Sequence, residues 1–169
     1  SDLPPAIIHL KDTCGSFAFD YQSIYSPAGL NPDNTGVIGL DDFDSSWGIW
    51  GHNLRKVLGA NTEKVYATIN GKANDSQLCF SSGEMFRLIE SYITDNFGEK
   101  GKFRFVIAPD DTPYACTCPS CTAIGNTEKN ATPAVTELIL RLSQRFPRHF
   151  FFTTSYLTTQ QVTDKQLPP

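Results

Sequence analysis

The sequence lacks the clusters of basic residues that mark a nucleic-acid-binding surface. No run of Lys or Arg exceeds two residues, and 14 basic against 18 acidic side chains leave a net charge of −4. A protein that binds duplex nucleic acid neutralises phosphates with clustered Lys and Arg, so we exclude nucleic acid as a partner. Apolar stretches of the roughly 20 residues that a membrane span requires are also missing, so we expect no transmembrane helix.

Internal repeats and low-complexity tracts are missing too. Hydrophobic residues make up 40% of the chain and charged residues 19%, so we expect a packed core rather than disorder. A complete (β/α)8 barrel needs about 250 residues, and sometimes as few as about 200. The 169 residues therefore predict one smaller domain over 1–169.

Regular patterning is confined to residues 46–169, and residues 1–45 are predicted to be irregular. Apolar spacing, capping residues and turn signals predict the elements of the second region. They are, in order, a strand over 64–69, a hairpin turn at Asn70-Gly71, a helix capped by Ser81 or Ser82, a strand over 103–108, a helix opened by Thr132 and Pro133, and a strand over 149–156.

The order of these elements predicts the fold class. Helix, strand, helix and strand in succession give βαβ crossovers and a parallel sheet. The strand over 149–156 is apolar at successive positions, as expected when both faces of a strand are covered. We therefore predict an α/β protein built from βαβ units.

Cysteine is the most informative residue type. The total of five is odd, so complete pairing within one chain is impossible, and three of the five form Cys116-Thr117-Cys118-Pro119-Ser120-Cys121. Thiolates in C-x-C-x-x-C spacing can converge on one tetrahedral ion, and Cys79 is the natural fourth ligand of a structural zinc. The alternatives are a disulfide between Cys79 and one of the three, and redox or catalytic thiol chemistry. Cys79 lies at the opposite strand end unless a loop brings it round, and Cys14 is predicted to be a buried or free thiol.

Candidate ligand-binding residues follow two predicted strands. Asp110 and Asp111 come directly after the strand over 103–108, and His52 ends the run that contains Trp50. In parallel α/β folds, ligands bind at the carboxyl ends of strands. Paired acids there suit glycoside hydrolysis, and Trp50 and Tyr114 could stack on sugar rings. The alternatives are a turn at the two aspartates, a structural histidine and aromatic rings that belong to the core.

Six motifs in series give the chain a family resemblance. Over roughly residues 45–160 it resembles a bacterial domain-of-unknown-function family, found in large exported proteins related to α-glucuronidases and other barrel glycosidases. The motifs are Trp50-Gly51-His52-Asn53, the segments 65–72 and 77–81, Ala108-Pro109-Asp110-Asp111, the cysteine cluster 116–121 and the strand 152–156.

The resemblance implies a (β/α)8 barrel, with His52 facing the substrate and Asp111 ending the next strand. The cysteine spacing is also similar to the four-cysteine zinc site of a family of β-galactosidases, which implies zinc on Cys79 and the 116–121 cluster and Asp111 as the general acid. Asp110 departs from this pattern, because the family more often has Asn there.

We therefore expect about half of a barrel from an exported bacterial carbohydrate-active protein, with a carbohydrate as its ligand. The alternative, from another class, is a non-catalytic carbohydrate-binding or scaffold domain. An open half-barrel exposes sheet edges, so self-association into a homo-oligomer is expected as well.

Overall fold

The computed structural model describes residues 47–165 together with residues 26, 27, 31, 33, 34 and 40. The chain divides into two units, Ser1–Asp42 and Phe43–Pro169. In the first unit the backbone N–H of Asp33 donates to Oδ1 of Asn31 over 3.0 Å. Cys14 and most of the irregular segment predicted over 1–45 lie outside the described residues.

The second unit contains five strands, four α-helices and two 3₁₀-helices among the described residues. In chain order they are β1 (Trp47–Ile49), α1 (Leu54–Leu58), a 3₁₀-helix (Gly59–Val65), β2 (Tyr66–Ile69), β3 (Lys72–Leu78), α2 (Gly83–Asn96), β4 (Arg104–Val106), α3 (Pro119–Ile124), α4 (Thr132–Arg145), β5 (Phe150–Phe152) and a second 3₁₀-helix (Leu157–Thr159).

The main sheet has the order β1–β4–β5, and both neighbouring pairs are parallel. Arg104 lies opposite Phe150, and Phe105 lies opposite Phe151. Helices α1 and α2 lie in the connection from β1 to β4, and α3 and α4 lie in the connection from β4 to β5. The predicted α/β class with a parallel sheet is confirmed, whereas closure into a barrel stays a prediction.

Helix α2 follows its predicted capping and periodicity. The Ser82 hydroxyl accepts a hydrogen bond from the backbone N–H of Met85 over 3.4 Å, which satisfies a donor of the first turn. Met85, Ile89 and Ile93 are buried on one face, and Gly98 follows the helix with φ of +65°. A left-handed residue just beyond a helix is the conformation that favours glycine.

Helix α4 has Pro133 in its first turn, as predicted. Two asparagine side chains accept hydrogen bonds from backbone N–H groups of that turn. Asn130 Oδ1 accepts from the N–H of Thr132, and Asn126 Oδ1 accepts from the N–H of Ala134, each over 3.0 Å. Apolar residues at helical spacing form one buried face of α4: Val135, Leu138, Ile139, Leu142 and Phe146. No helix within the described ranges is long and apolar enough to cross a bilayer.

Strands β2 and β3 form a separate antiparallel hairpin between α1 and α2. Its turn is the predicted Asn70-Gly71, with φ of +52° and +74°. Two positive φ values in succession are typical of the type I′ turn that joins twisted strands. The strand starts at Tyr66 rather than at residue 64, because residues 64 and 65 still belong to the 3₁₀-helix.

The prediction that the last strand is covered on both faces is wrong. Strand β5 spans only Phe150–Phe152 and lies at an edge of the three-stranded sheet. Phe151 points to the helical side and stacks on Phe105 with ring centroids 5.5 Å apart. Phe150 and Phe152 remain 42% and 41% exposed. Successive apolar residues therefore mark an edge strand whose second face is only partly covered.

The helical side of the sheet is tightly packed around Phe105. A Cβ on Gly48 would lie 2.2 Å from Cε1 of Phe105, so β1 needs a glycine beside β4 at this point. Tyr92 of α2 donates to the Gly48 carbonyl over 3.2 Å and ties the helix to β1. This packing fixes β1 and β4 side by side, and their carboxyl ends carry the candidate site.

Candidate functional site

The cysteines predicted to bind metal converge in space. The Sγ atoms of Cys79, Cys116, Cys118 and Cys121 all lie within 4.8 Å of one another. Cys79 Sγ is 3.7 Å from Cys118 Sγ and 3.8 Å from Cys121 Sγ. A tetrahedral ion with metal–sulfur bonds of about 2.3 Å sets its sulfurs about 3.8 Å apart, so the four thiols could hold a metal ion.

The structure does not show the disulfide alternative. A disulfide bond requires a sulfur–sulfur distance of about 2.05 Å, and all four cysteines are free thiols. Cys116 and Cys121 are buried, and Cys79 and Cys118 are partly buried.

The hairpin is the element that brings Cys79 to the cluster. Cys79 directly follows β3, and its N–H donates to the Val65 carbonyl over 2.8 Å. The loop after β4 is bonded to the hairpin as well, because Thr117 N–H donates to the Thr68 carbonyl over 2.8 Å. Cys79 precedes α2 in the chain, and the inserted hairpin places it next to the loop after β4.

Hydrogen bonds to sulfur surround the cluster. Thr68 N–H donates to Cys116 Sγ over 3.2 Å, Cys121 N–H donates to Cys118 Sγ over 3.4 Å, and Ser81 Oγ lies 3.0 Å from Cys121 Sγ. Donors around a metal site orient the ligands and favour the thiolate form.

The thiols also interact with one another. Hydrogen bonds from the thiols of Cys121 and Cys79 lower the pKa of Cys116 to about 3. The hydrogen bond with Cys116, followed by that with Cys79, raises the pKa of Cys121. A bound cation would allow all four thiols to ionise together.

His52 and Asp111 meet beyond the carboxyl ends of β1 and β4. His52 Nε2 lies 3.2 Å from Asp111 Oδ1, and His52 Nδ1 lies 2.8 Å from the Pro109 carbonyl oxygen. A carbonyl only accepts, so Nδ1 carries a proton and donates it to Pro109. A hydrogen bond between Nε2 and Oδ1 then requires a second proton, on the nitrogen or on the carboxyl oxygen.

Asp110 has a different environment from Asp111. Arg55 of α1 contacts the Asp110 carboxylate through Nη2 at 2.7 Å and through Nε at 2.8 Å, and this hydrogen bond raises the pKa of the Arg55 guanidinium. The Asp110 side chain is 20% exposed, against 61% for Asp111. Asp110 is therefore held in an ion pair, and Asp111 presents its carboxylate to solvent and to His52.

The aromatic candidates lie in different places. Trp50 lines a cleft of about 330 Å³ together with Trp47, Asn53 and Lys56. Tyr114 is 51% exposed in the loop after Asp111. The ring of Tyr114 therefore does not belong to the core. Among the predicted site residues, the structure adds one contact that the sequence did not predict, between His52 and Asp111.

Four residues near these sites are not among the predicted site residues: Arg55, Gln77, Ser81 and Tyr156. The ring of Tyr156 is 50% exposed and lies 6.5 Å from the His52 ring, centroid to centroid. Its position at the end of a predicted strand was the signal for Tyr156, and the Gln77-Leu78-Cys79 motif was the signal for Gln77. Arg55 lacks such a signal, because an arginine on a short helix is normally solvent-exposed.

Fold and site together define an α/β protein with a four-cysteine cluster beside the carboxyl edge of its parallel sheet. The chain belongs to a family described as a domain of unknown function, DUF4838, whose model matches residues 51–167. Of the candidate site residues, Trp50 alone falls outside that match. No curated protein and no solved structure matches the chain.

Proposed function

We propose that the four cysteines bind one structural zinc ion. The sulfur–sulfur distances of 3.7 and 3.8 Å support this ion, because they fit the edge of a tetrahedron with zinc–thiolate bonds. Four protein ligands would leave no open coordination position, which is characteristic of a structural rather than a catalytic zinc.

The position of the cluster suggests what such a zinc would do. Cys116 lies five residues after Asp111 in the loop that follows β4, and Cys79 lies at the end of the hairpin. An ion shared by the two would tie the loop to the hairpin. Zinc would thus hold the far end of the segment that carries Asp111.

We propose further that this edge of the sheet belongs to a glycoside hydrolase-like site with Asp111 as the general acid. The contact between His52 Nε2 and Asp111 Oδ1 is the observation that carries this proposal. A general acid must hold a proton near a leaving oxygen, and a hydrogen-bonded imidazole–carboxyl pair holds one at a half-exposed position. The exposed rings of Tyr156 and Tyr114 would supply faces on which a sugar ring can stack.

The parent fold in this proposal is a (β/α)8 barrel. Support comes from three parallel strands that follow one another in the sheet in chain order, each connection carrying helices. The resemblance to α-glucuronidase-like barrels also supports this fold, and it implies export from a bacterial cell. Open sheet edges of a partial barrel imply self-association. A sedimentation profile of the full chain that shows only monomer would contradict the self-association.

One observation favours the alternative, a carbohydrate-binding domain without turnover. Glycosidases use two carboxylates, and Asp110 is committed to Arg55 rather than paired with Asp111. The neighbouring aspartates therefore do not form such a pair, and a catalytic site would need its second carboxylate from another part of the protein.

A single set of assays separates these functions. Neutral and acidic oligosaccharides are tested against the longest protein that carries this domain, for binding by calorimetry and for release of reducing ends, with Asp111→Asn beside wild type. Turnover that is lost in Asp111→Asn while binding persists is the expected result. Binding without turnover in either protein would establish the binding domain, and turnover that survives in Asp111→Asn would refute the acid.

A further inference from the structure

We infer that Gln77 is the positioning residue that holds the Asp111 carboxylate against His52. The contacts among Gln77, the Asp111 segment and His52 are observed in the structure, and their importance for catalysis rests on the proposed function of Asp111. Gln77 belongs to β3 of the inserted hairpin, so it acts from outside the parallel sheet.

The Gln77 side chain is 1% exposed and uses both ends of its amide. Oε1 accepts from the backbone N–H of Asp110 over 3.1 Å and from that of Leu78 over 3.0 Å. Nε2 lies 3.3 Å from the carbonyl oxygens of both Asp110 and Tyr114, and 3.5 Å from Thr112 Oγ1. A buried amide is costly unless it is satisfied, and here it is satisfied by the loop that carries Asp111.

These bonds hold the chain on both sides of Asp111. The N–H and the carbonyl of Asp110 are both bound to the Gln77 amide, and Thr112 N–H donates back to the Asp110 carbonyl over 2.7 Å in a tight turn. The Asp111 side chain is 61% exposed, so packing contributes little to its position. Its direction is set by the backbone that Gln77 holds.

His52 contacts the same segment twice. Its Nδ1 donates to the Pro109 carbonyl, one residue before Asp110, and its Nε2 faces Asp111, one residue after it. A shift of the backbone at Asp110 would move both partners of the imidazole. The protonation pattern of His52 is therefore a direct reporter of what Gln77 does.

His149 supplies an internal control with the opposite tautomer. Its Nε2 donates to the Gly98 carbonyl over 2.8 Å, and its Nδ1 accepts from Phe103 N–H over 3.3 Å. In ¹H–¹⁵N spectra recorded above about pH 8, where a free imidazole is neutral, wild type should show a protonated Nδ1 at His52 and an unprotonated Nδ1 at His149. A His52→Gln variant assigns the first signal.

The test compares Gln77→Met with Gln144→Met, the same change at an exposed glutamine on α4. We expect Gln77→Met to lose the Nδ1-protonated signal of His52 while the His149 signal persists, and Gln144→Met to match wild type. If a substrate is found, Gln77→Met should lower kcat about 100-fold with KM little changed, as expected for a misplaced reacting group.

A second variant covers the case in which Gln77→Met fails to fold. Gln77→Glu keeps an oxygen for the N–H groups of Asp110 and Leu78 but turns a second oxygen toward the carbonyls that Nε2 now serves. It should also lose the His52 signal. Either variant, folded by the His149 signal and with the His52 signal of wild type, would overturn the inference. Because this readout needs no substrate, it stands or falls separately from the glycosidase proposal.

Discussion

The imidazole of His52 bridges two positions of one loop, with Nδ1 2.8 Å from the Pro109 carbonyl and Nε2 3.2 Å from the Asp111 carboxylate. The loop after β1 and the loop after β4 are thereby joined at the carboxyl edge of the sheet. The neighbouring carboxylate, Asp110, turns instead to Arg55. The two adjacent aspartates therefore differ: Asp110 forms an ion pair with Arg55, and Asp111 is exposed to solvent and contacts His52.

Substitution of the two aspartates should separate these roles. Asp110→Asn removes a partly buried ion pair, so we expect the free energy of unfolding to fall by about 1 kcal/mol. Asp111→Asn changes an exposed side chain, and its effect should stay within about 0.5 kcal/mol. Urea denaturation of both variants measures the difference. Equal losses at the two positions would contradict the assignment.

Zinc binding should depend on each cysteine of the cluster. Because a structural site needs four ligands, Cys116→Ser and Cys118→Ser should each lower the zinc content of the purified protein from one ion per chain to a small fraction of that. Cys14→Ser is the matched control and should keep full occupancy. Elemental analysis against protein concentration measures the ratio. Full occupancy in Cys116→Ser would remove Cys116 from the ligand set.

Ser81→Ala should weaken metal binding without changing its stoichiometry. The hydroxyl lies 3.0 Å from Cys121 Sγ and is not one of the four cysteine ligands, so its loss removes a hydrogen bond to a ligand. Removal of such partners typically lowers metal affinity by about 10- to 100-fold. Competition with a coloured chelator measures the change, and an affinity equal to that of wild type would show that the hydroxyl does not support the site.

The packing of β1 against β4 should be sensitive to a single methyl group. Gly48→Ala places a Cβ 2.2 Å from Phe105, so the sheet must shift, and we expect a loss of about 1–3 kcal/mol in unfolding free energy. Gly83→Ala is the control, since a Cβ at that position would meet no neighbouring side chain within 4 Å among the described residues. There the smaller entropy of the unfolded chain should raise stability by about 0.4–1 kcal/mol. Thermal unfolding distinguishes the two signs.

Local signals in the sequence were sufficient for α2, α4 and the hairpin turn, but the short helix α3 within the cysteine segment was not predicted. Ser82, Gly98 and Pro133 mark helix ends through capping and backbone geometry, and Asn70-Gly71 specifies its turn through two positive φ values. These features act within a few residues, so they can be read directly. The apolar run at 149–156 gave a wrong prediction, because a strand pattern does not show which elements cover each face of the strand. In the structure β5 is the last strand of the three-stranded sheet, and Phe150 and Phe152 on one of its faces are exposed.

The site was predictable in its residue types but not in its connections. The spacing of the cysteines predicted the cluster, and the strand ends predicted His52 and Asp111. The hydrogen bonds between the Gln77 amide and the Asp110 backbone could not be predicted from the sequence, because they depend on the packing of the hairpin against the loop after β4. The ion pair of Arg55 with Asp110 is hidden for the same reason, since its partners lie on separate elements.

The central claim is that one zinc ion on four cysteines holds the frame on which Asp111 meets His52. The most direct measurement is the ¹H–¹⁵N spectrum of His52, recorded while zinc is stripped from the full chain with a chelator and released zinc is counted. The account predicts that one zinc per chain leaves, that the Nδ1-protonated signal of His52 disappears in proportion, and that the His149 signal persists. Absence of zinc, or a His52 signal that does not change as zinc leaves, would contradict it.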